Sequence, residues 1–347
     1  MTEIAFSDRL LAWFATNRRR HLPWQQERTL YRVWISEIML QQTQVSTVID
    51  YFQRFIQRFP DVQTLASAAP DEVLHLWSGL GYYARARNIH RAARIVLTEQ
   101  GGHLPLAVDQ WQRLPGIGRS TAGAILALAT GQRHPILDGN VKRVLCRFHG
   151  IAGWPGRREV AQTLWQLAEA HTPHEQVAEY TQAIMDLGAT VCTRHRALCA
   201  GCPLQAACRA HAQGRVRDYP TSRPRRDLPV RHTMFVLARR PDGSVLLERR
   251  SPTGVWGGLW SFPECAPDTD LEDWCWHRLG QWPLAIKRLP GRRHRFSHVH
   301  WHISPVLLEI SEPVSMVMEL DSTLWYNSMA PEKIYGLPAP VAEVLQR

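Results

Sequence analysis

The stretch whose reading decides the fold is Leu114-Pro115-Gly116-Ile117-Gly118-Arg119-Ser120-Thr121. Before it, VDQWQRL (108–114) reads as the end of a short helix; after it, RSTAGAILALAT (119–130) starts a second helix with small residues. Pro-Gly-x-Gly between two helices forms a tight hairpin, because proline stops the first helix and glycine reaches backbone angles closed to other residues. Gly116 and Gly118 also clear side chains from the turn, so a phosphate can approach the N–H groups at the start of the second helix, where the helix dipole is positive. A plain helix-to-helix turn explains the same residues. The neighbours of the hairpin have to decide between the two.

Twenty residues past Gly118, an aspartate breaks the apolar run of HPILDGNVKRVL (134–145) and is followed by a basic helix. Asp138 either caps that helix or serves chemistry. LPGIGRSTA, followed at this distance by PILDGNVKRVL, resembles the helix-hairpin-helix superfamily of DNA glycosylases, in which that aspartate is the catalytic carboxylate. Three further stretches, LPW (22–24), SEIMLQQTQV (36–45) and GLGYYARARN (79–88), closely resemble the MutY family of adenine DNA glycosylases. The likeness spreads over the whole helical half.

Composition agrees with a DNA-binding chain. The 347 residues carry a formal charge of +10, with 25 basic against 17 acidic residues in 1–222 but 16 against 14 in 223–347. The surplus therefore lies in the first part, where a polyanion suits it, although surplus arginine also serves solubility. No apolar run approaches the roughly 18 residues of a membrane span, and the first 20 residues lack the clean apolar centre of a signal peptide. A cytoplasmic protein acting at the nucleoid, as a monomer and with no membrane partner, is the expectation.

Seven cysteines are an odd number, and four of them follow the spacing C-x6-C-x2-C-x5-C: Cys192, Cys199, Cys202 and Cys208. In a chain without export signals metal is favoured over disulfides, and four such thiolates hold either an iron–sulfur cluster or zinc. The resemblance chooses: this spacing is similar to the [4Fe-4S] loop of the endonuclease III and MutY branches, and it implies one cluster. Arg194, His195, Arg196 and Arg209 around the ligands make the loop cationic, so the cluster is expected to shape a DNA-contacting surface. Cys146, Cys265 and Cys275 fit no ligand spacing.

Glu37 stands among Trp34, Ile35, Ile38 and Leu40 on a stretch with helical periodicity. Desolvation should raise its pKa, making it a general acid near neutral pH. The resemblance implies that Glu37 protonates the departing adenine, while Asp138 stabilises the oxocarbenium character developing at C1′ before water completes the hydrolysis. Asn140 and Gln182 are expected to hydrogen-bond within the site. In the endonuclease III branch the position of Ser120 is a lysine that forms a Schiff base and cleaves the strand. Serine cannot form that imine, which predicts a monofunctional enzyme leaving an abasic site, with Ser120 hydrogen-bonding near Asp138. By resemblance Gln42 enters near the vacated position and Tyr82 wedges beside the opposite base. Arg85, Arg87, Lys142 and Arg143 are expected to touch phosphates.

The fold class that follows is multidomain. Residues 1–213 form an all-α helix-hairpin-helix glycosylase region, with a six-helix barrel part and an iron–sulfur part; the Pro- and Arg-rich 214–230 is the linker; 231–347 is an α+β domain. HTMFVLARRPDGSVLLERR reads as two strands around a Pro-Asp-Gly turn, LEDWCWHRL as a helix and HRFSHVHWHISPVLLEI as a longer strand region. GVWGGLWSFPE (254–264) resembles the Nudix fold of MutT-like proteins, but no acidic magnesium-binding helix follows, so pyrophosphatase activity is not expected. By resemblance Phe296, Ser297 and His298 meet 8-oxoguanine opposite the adenine. The implied substrate is double-stranded DNA with A·8-oxoguanine or A·G mispairs. An endonuclease III-like lyase and a silent iron–sulfur DNA binder are the competing readings.

Overall fold

The computed structural model describes residues 5–224, 227–296, 298–311, 322–329 and 335–345. The chain divides into two units, Met1–Ser67 with Asn88–Arg225, and Ala68–Arg87 with Arg226–Arg347. The second unit thus takes in twenty residues from the middle of the helical half, a join that the expected boundary at 214–230 does not contain.

The first unit is helical. Its elements are α1 (Phe6–Asn17), α2 (Pro23–Gln26), α3 (Leu30–Leu40), α4 (Val45–Arg58) and α5 (Val62–Ser67). After α6 (Pro70–Leu76), which belongs to the second unit, α7 (Ala84–Gln100) leads back into the first. There follow α8 (Val108–Arg113), α9 (Arg119–Thr130), α10 (Gly139–His149), α11 (Arg158–His171), α12 (Val177–Thr190) and the short α13 (Arg209–Ala212). Helix α9 packs against both α3 and α12. Its run Ala122–Leu128 is buried, and Gly123 lets the segment between α9 and α10 lie close against the helix, since a Cβ there would stand 2.9 Å from the Pro135 carbonyl oxygen. A second close approach joins α10 to α12: a Cβ on Gly188 would meet Asn140 Cβ at 2.6 Å. One core gathers Phe6, Leu10 and Phe14 of α1 with apolar residues of α10 and α12. Around α3, Trp34 meets Trp111 edge to face at 5.5 Å. No helix among the described residues is long and apolar enough to cross a membrane.

The second unit is built on a mixed sheet. Its strands are β1 (Val230–Arg239), β2 (Val245–Arg249), β3 (Trp260–Ser261), β4 (Glu264–Cys265), β5 (Ala285–Arg288), β6 (Arg292–Arg295), β7 (His300–Glu309) and β8 (Thr323–Tyr326), in the order β3-β2-β1-β7-β5 with β4, β6 and β8 pairing at the sides. Strands β1 and β7 run parallel in register from Val230↔His300 to Arg239↔Glu309. The Pro-Asp-Gly turn forms as expected, with Gly243 at φ +82° and Asp242 accepting from the Ser244 amide at 2.8 Å. Helix α14 (Leu271–Leu279) covers one sheet face, where Met234, Val236, Ala238, Val306 and Leu308 meet Leu271, Cys275 and Leu279. A last helix, α15, spans Ala339–Leu345. The strand region expected over HRFSHVHWHISPVLLEI holds all of β7 and the end of β6, which pair antiparallel as a hairpin with Arg295 opposite His300. His298 lies in the connection, so only His300 and His302 share a face of β7.

The twenty early residues are tied into this unit by specific contacts. Asp71 accepts from Arg249 Nη2 at 2.9 Å and from Trp260 Nε1 at 3.3 Å, and Arg87 donates to the Gly257 carbonyl. A Cβ on Gly336 would stand 2.8 Å from Leu74 Cβ.

Candidate active site

Glu37 reaches the site because α3 is buried almost all round: Tyr31, Val33, Trp34, Ile35, Ser36, Ile38 and Met39 are all covered, and Thr29 caps the helix by accepting from the Arg32 amide. A carboxyl on such a helix has only a cavity to face. That cavity has a volume of about 800 Å³ and is lined by Glu37, Ser120, Asp138, Asn140 and Gln182, together with Arg19, Trp24, Gln41, Gln42, Arg143 and Arg194. Residues separated by 145 positions thus converge on one space, four of them expected catalytic groups.

Asp138 caps α10 and also lines the cavity. As N-cap of α10 it accepts from the Val141 amide through Oδ1 at 2.7 Å, while Oδ2 takes a longer contact from Asn140 Nδ2 at 3.4 Å. Burial raises its pKa, against the lowering effects of the Val141 and Asn140 amides and of the Arg143 and Lys142 charges. Glu37 has no such help. Burial, and after it the negative charge of Asp138, push its pKa up to about 8. Burial pushes both carboxyls up, but only Asp138 has amide donors and positive charges acting against it, so the two stand in unlike environments. Ser120 Oγ accepts from the amide of Leu137, the residue before Asp138, at 2.9 Å.

The hairpin has the geometry expected of it. Gly116 sits at φ +80°, and a Cβ there would come within 2.9 Å of Asn88 Cβ, so glycine is required. Gly118 is the N-cap of α9 with no side-chain cap and with open space where a Cβ would be, leaving the helix's first amides accessible. Gln42 and Tyr82, each described within its own unit, share a backbone trait: φ is +57° at Gln42 and +49° at Tyr82, and both side chains are exposed. Non-glycine residues in the left-handed region carry strain and cluster at functional positions.

The expected phosphate contacts fare differently. Arg85 is buried, donates to the Leu80 and Gly81 carbonyls and stacks over Trp77 and Tyr82, while burial lowers its pKa to about 10. Arg87 is committed to Gly257. Arg143 donates to the carbonyls of Cys192 and Gly188, both at 2.7 Å, and to Asn140 Oδ1 at 2.8 Å. Arg85, Arg87 and Arg143 thus each donate to carbonyl oxygens of the fold. Lys142 remains half-buried beside the cavity's aspartate.

Cys192, Cys199, Cys202 and Cys208 ring a cavity of about 30 Å³ with Arg147 and His211. Arg147 is buried and ties this loop together, donating to the carbonyls of Thr193, Arg194, Val216 and Tyr219 and to Cys192 Sγ at 3.3 Å. The Leu204 amide points at the Cys202 sulfur and the Ala210 and His211 amides at that of Cys208. Among the described residues, no three His, Cys, Asp or Glu side chains are gathered to hold a single metal ion. The four thiols line a common space, with N–H donors aimed at the sulfurs of Cys192, Cys202 and Cys208, an environment suited to thiolates that hold a multi-atom cluster.

In the second unit Phe296 sits in an aromatic group, 5.4 Å from Trp256 and 6.0 Å from Trp301, with Trp256 stacked on Trp301 at 4.9 Å. His298 is exposed. Ser297 lies outside the described residues.

Sequence reading missed Arg19, Gln41 and Asp186. Gln41 Nε2 donates to Thr121 Oγ1 at 3.3 Å, linking α3 to the hairpin helix. Asp186 had a legible signal: it breaks the apolar face of α12 four residues after Gln182.

The helical fold, the hairpin and the paired carboxyls define a class of DNA-repair enzymes. Residues 35–170 match the HhH-GPD superfamily of base excision DNA repair proteins, and 234–347 match the NUDIX domain. The chain is 38% identical to an adenine DNA glycosylase of Buchnera aphidicola from Acyrthosiphon pisum, over 100% of this chain and 98% of that one. It is 35% identical to the human adenine DNA glycosylase, over 90% of this chain and 69% of the other. A thermostable thymine-DNA glycosylase superposes on 60% of this chain and 95% of its own with a TM-score of 0.55 and 26% identity. The chain belongs to the adenine DNA glycosylase family, enzymes that hydrolyse N-glycosyl bonds in base excision repair.

Proposed function

We propose that this glycosylase removes adenine mispaired with 8-oxoguanine or guanine in duplex DNA and stops at the abasic site. One observation carries the reading: two carboxyls line a single cavity in unlike environments, and Glu37 has its pKa pushed up to about 8. Glu37 donates its proton to the leaving adenine, which departs neutral. Asp138 stays ionised at the start of α10 and stabilises the positive charge growing on C1′; water then adds to the sugar. Asn140, which reaches both Asp138 and Arg143, holds that carboxylate in place. Gln182 faces the base.

The backbone of the 114–118 hairpin, with its open Gly118, takes a phosphate. Gln42 and Tyr82 enter the opened duplex, and Lys142 meets the strand. Phe296, Ser297 and His298 read the base opposite the adenine. Cys192, Cys199, Cys202 and Cys208 hold one [4Fe-4S] cluster, a reading supported by four thiols that line one small cavity. The cluster's part is to order the loop carrying Arg194, His195 and Arg196; no step of the hydrolysis needs it. The chain works as a monomer on DNA of the cytoplasmic nucleoid.

The absence of an amine at position 120 supports monofunctional chemistry, because Ser120 has no nitrogen to form an imine with C1′. The test is single-turnover release of adenine from a duplex with one A opposite 8-oxoguanine, read with and without alkali. Breaks mainly after alkali support the reading; breaks without alkali overturn the monofunctional part, and no release overturns the whole.

A further inference from the structure

We propose that Asp186 fixes the hydrogen-bonding polarity of the base-binding wall, so that the cavity presents an acceptor where adenine carries its exocyclic amine. The inference rests on reading this cavity as the adenine site. Asp186 is fully buried on α12 and is not among the residues lining the cavity. Its Oδ1 accepts from Gln182 Nε2 at 2.9 Å and from Arg19, through Nε at 3.2 Å and also through Nη2. Both partners line the cavity. Oδ2 is buried with no hydrogen-bond partner, so Oδ1 alone carries the junction.

A primary amide has one donor end and one acceptor end, and on a free wall it turns over to suit either kind of ligand. Gln182 is denied that freedom. A carboxylate only accepts, so the NH₂ end must face Asp186; turning the amide would set Oε1 against an anionic oxygen. The i,i+4 spacing of Gln182 and Asp186 on α12 keeps the pair on one helix face. Oε1 is the end left for the cavity, and it has no protein partner among the described residues. The same carboxylate fixes Arg19, whose guanidinium only donates.

Adenine offers an N–H donor at its six-position amine, whereas hypoxanthine and guanine offer a carbonyl oxygen there. The wall bonds the first and sets lone pair against lone pair with the others. Asp186 is thus a positioning residue, and its effect belongs to the choice of base.

The test uses the full chain in single turnover on duplexes that differ only in the target base opposite 8-oxoguanine: adenine, hypoxanthine, or purine without a six-substituent. The adenine-to-hypoxanthine rate ratio should fall at least about tenfold in Asp186→Leu, because an aligned polar group is what rejects the wrong isostere. Asp186→Asn, which keeps an oxygen on this side chain, should recover part of the ratio. Gln182→Met leaves Asp186 intact and should bring adenine and unsubstituted purine to similar relative rates; it carries the test if the Asp186 variants lose duplex binding through misfolding. Equal slowing of all three bases, with ratios unchanged in Asp186→Leu and in Gln182→Met, reduces Asp186 to a packing role and overturns the proposal alone. No adenine release by the unaltered chain overturns the reading of the site and this inference with it.

Discussion

In the helical unit the side chains of the site are held by hydrogen bonds, most of them to backbone: Asp138 by the Val141 amide, Ser120 by that of Leu137, Arg143 by the Gly188 and Cys192 carbonyls. In the sheet unit Phe296 is held by rings, those of Trp256, His294 and Trp301. The two kinds of support suit different tasks. Hydrogen bonds fix direction, which proton transfer and charge stabilisation require. Ring contacts fix area and leave direction looser, which suits stacking against a base.

The comparison is open to breakage where effects are largest. Glu37→Gln keeps the shape and removes the proton, and adenine release should fall on the order of 10²- to 10⁴-fold with duplex binding kept. A loss below tenfold would move the chemistry out of the polar cavity. Asp138→Asn should cost on the order of 10²- to 10³-fold in single-turnover rate. Because asparagine caps helices as well as aspartate does, its melting temperature should change little, which separates chemistry from capping. Ser120→Lys should produce strand breaks without alkali. The same variant leaves the Leu137 amide without its acceptor, so denaturant unfolding should show a loss of about 1–3 kcal/mol.

Smaller effects sharpen the contrast. With Glu37 titrating near pH 8, adenine release should decline as pH rises through about 8. The stability linkage has the same sign: its folded-state pKa lies above the ordinary 4.5, so the folded chain holds this proton more tightly and loses stability as pH rises between those values. Glu37→Gln should lack that slope in denaturation measured from pH 5 to 9. Asp71→Ala removes the acceptor of Arg249 and Trp260, and should destabilise the sheet unit by about 1–2 kcal/mol while leaving the Glu37 pH profile unchanged. A shifted profile would mean that the two kinds of support are coupled.

Glycine, cysteine and an aspartate breaking an apolar run are positional signals, which is why the hairpin, the four thiols and Asp138 were legible in the sequence. Glu37 was legible because its neighbours are apolar on every side of α3. Arginine reads only as charge until its surroundings are known. Arg85, Arg87 and Arg143, expected at phosphates, donate to carbonyl oxygens of the fold, partners that the sequence does not announce. That β6 turns back onto β7 was not legible because no Gly, Pro, Asn or Asp stands between Arg295 and His300 to mark a turn. No local pattern announces that Ala68–Arg87 completes the sheet unit, since its partners lie far along the chain.

That last feature bears on how the protein is made. As the chain leaves the ribosome, Asp71, Leu74 and Arg87 emerge long before Arg249, Gly257 and Gly336, the groups they meet in the finished molecule. At ~5–20 residues per second the wait is on the order of 10 s, during which the helical segments on either side are free to fold. The segment must stay available through that interval, and the sheet unit cannot be complete until Gly336 has emerged. A copy of the protein cut short before the sheet would carry Leu74 without Gly258 and Gly336, the backbone it packs against in the finished unit.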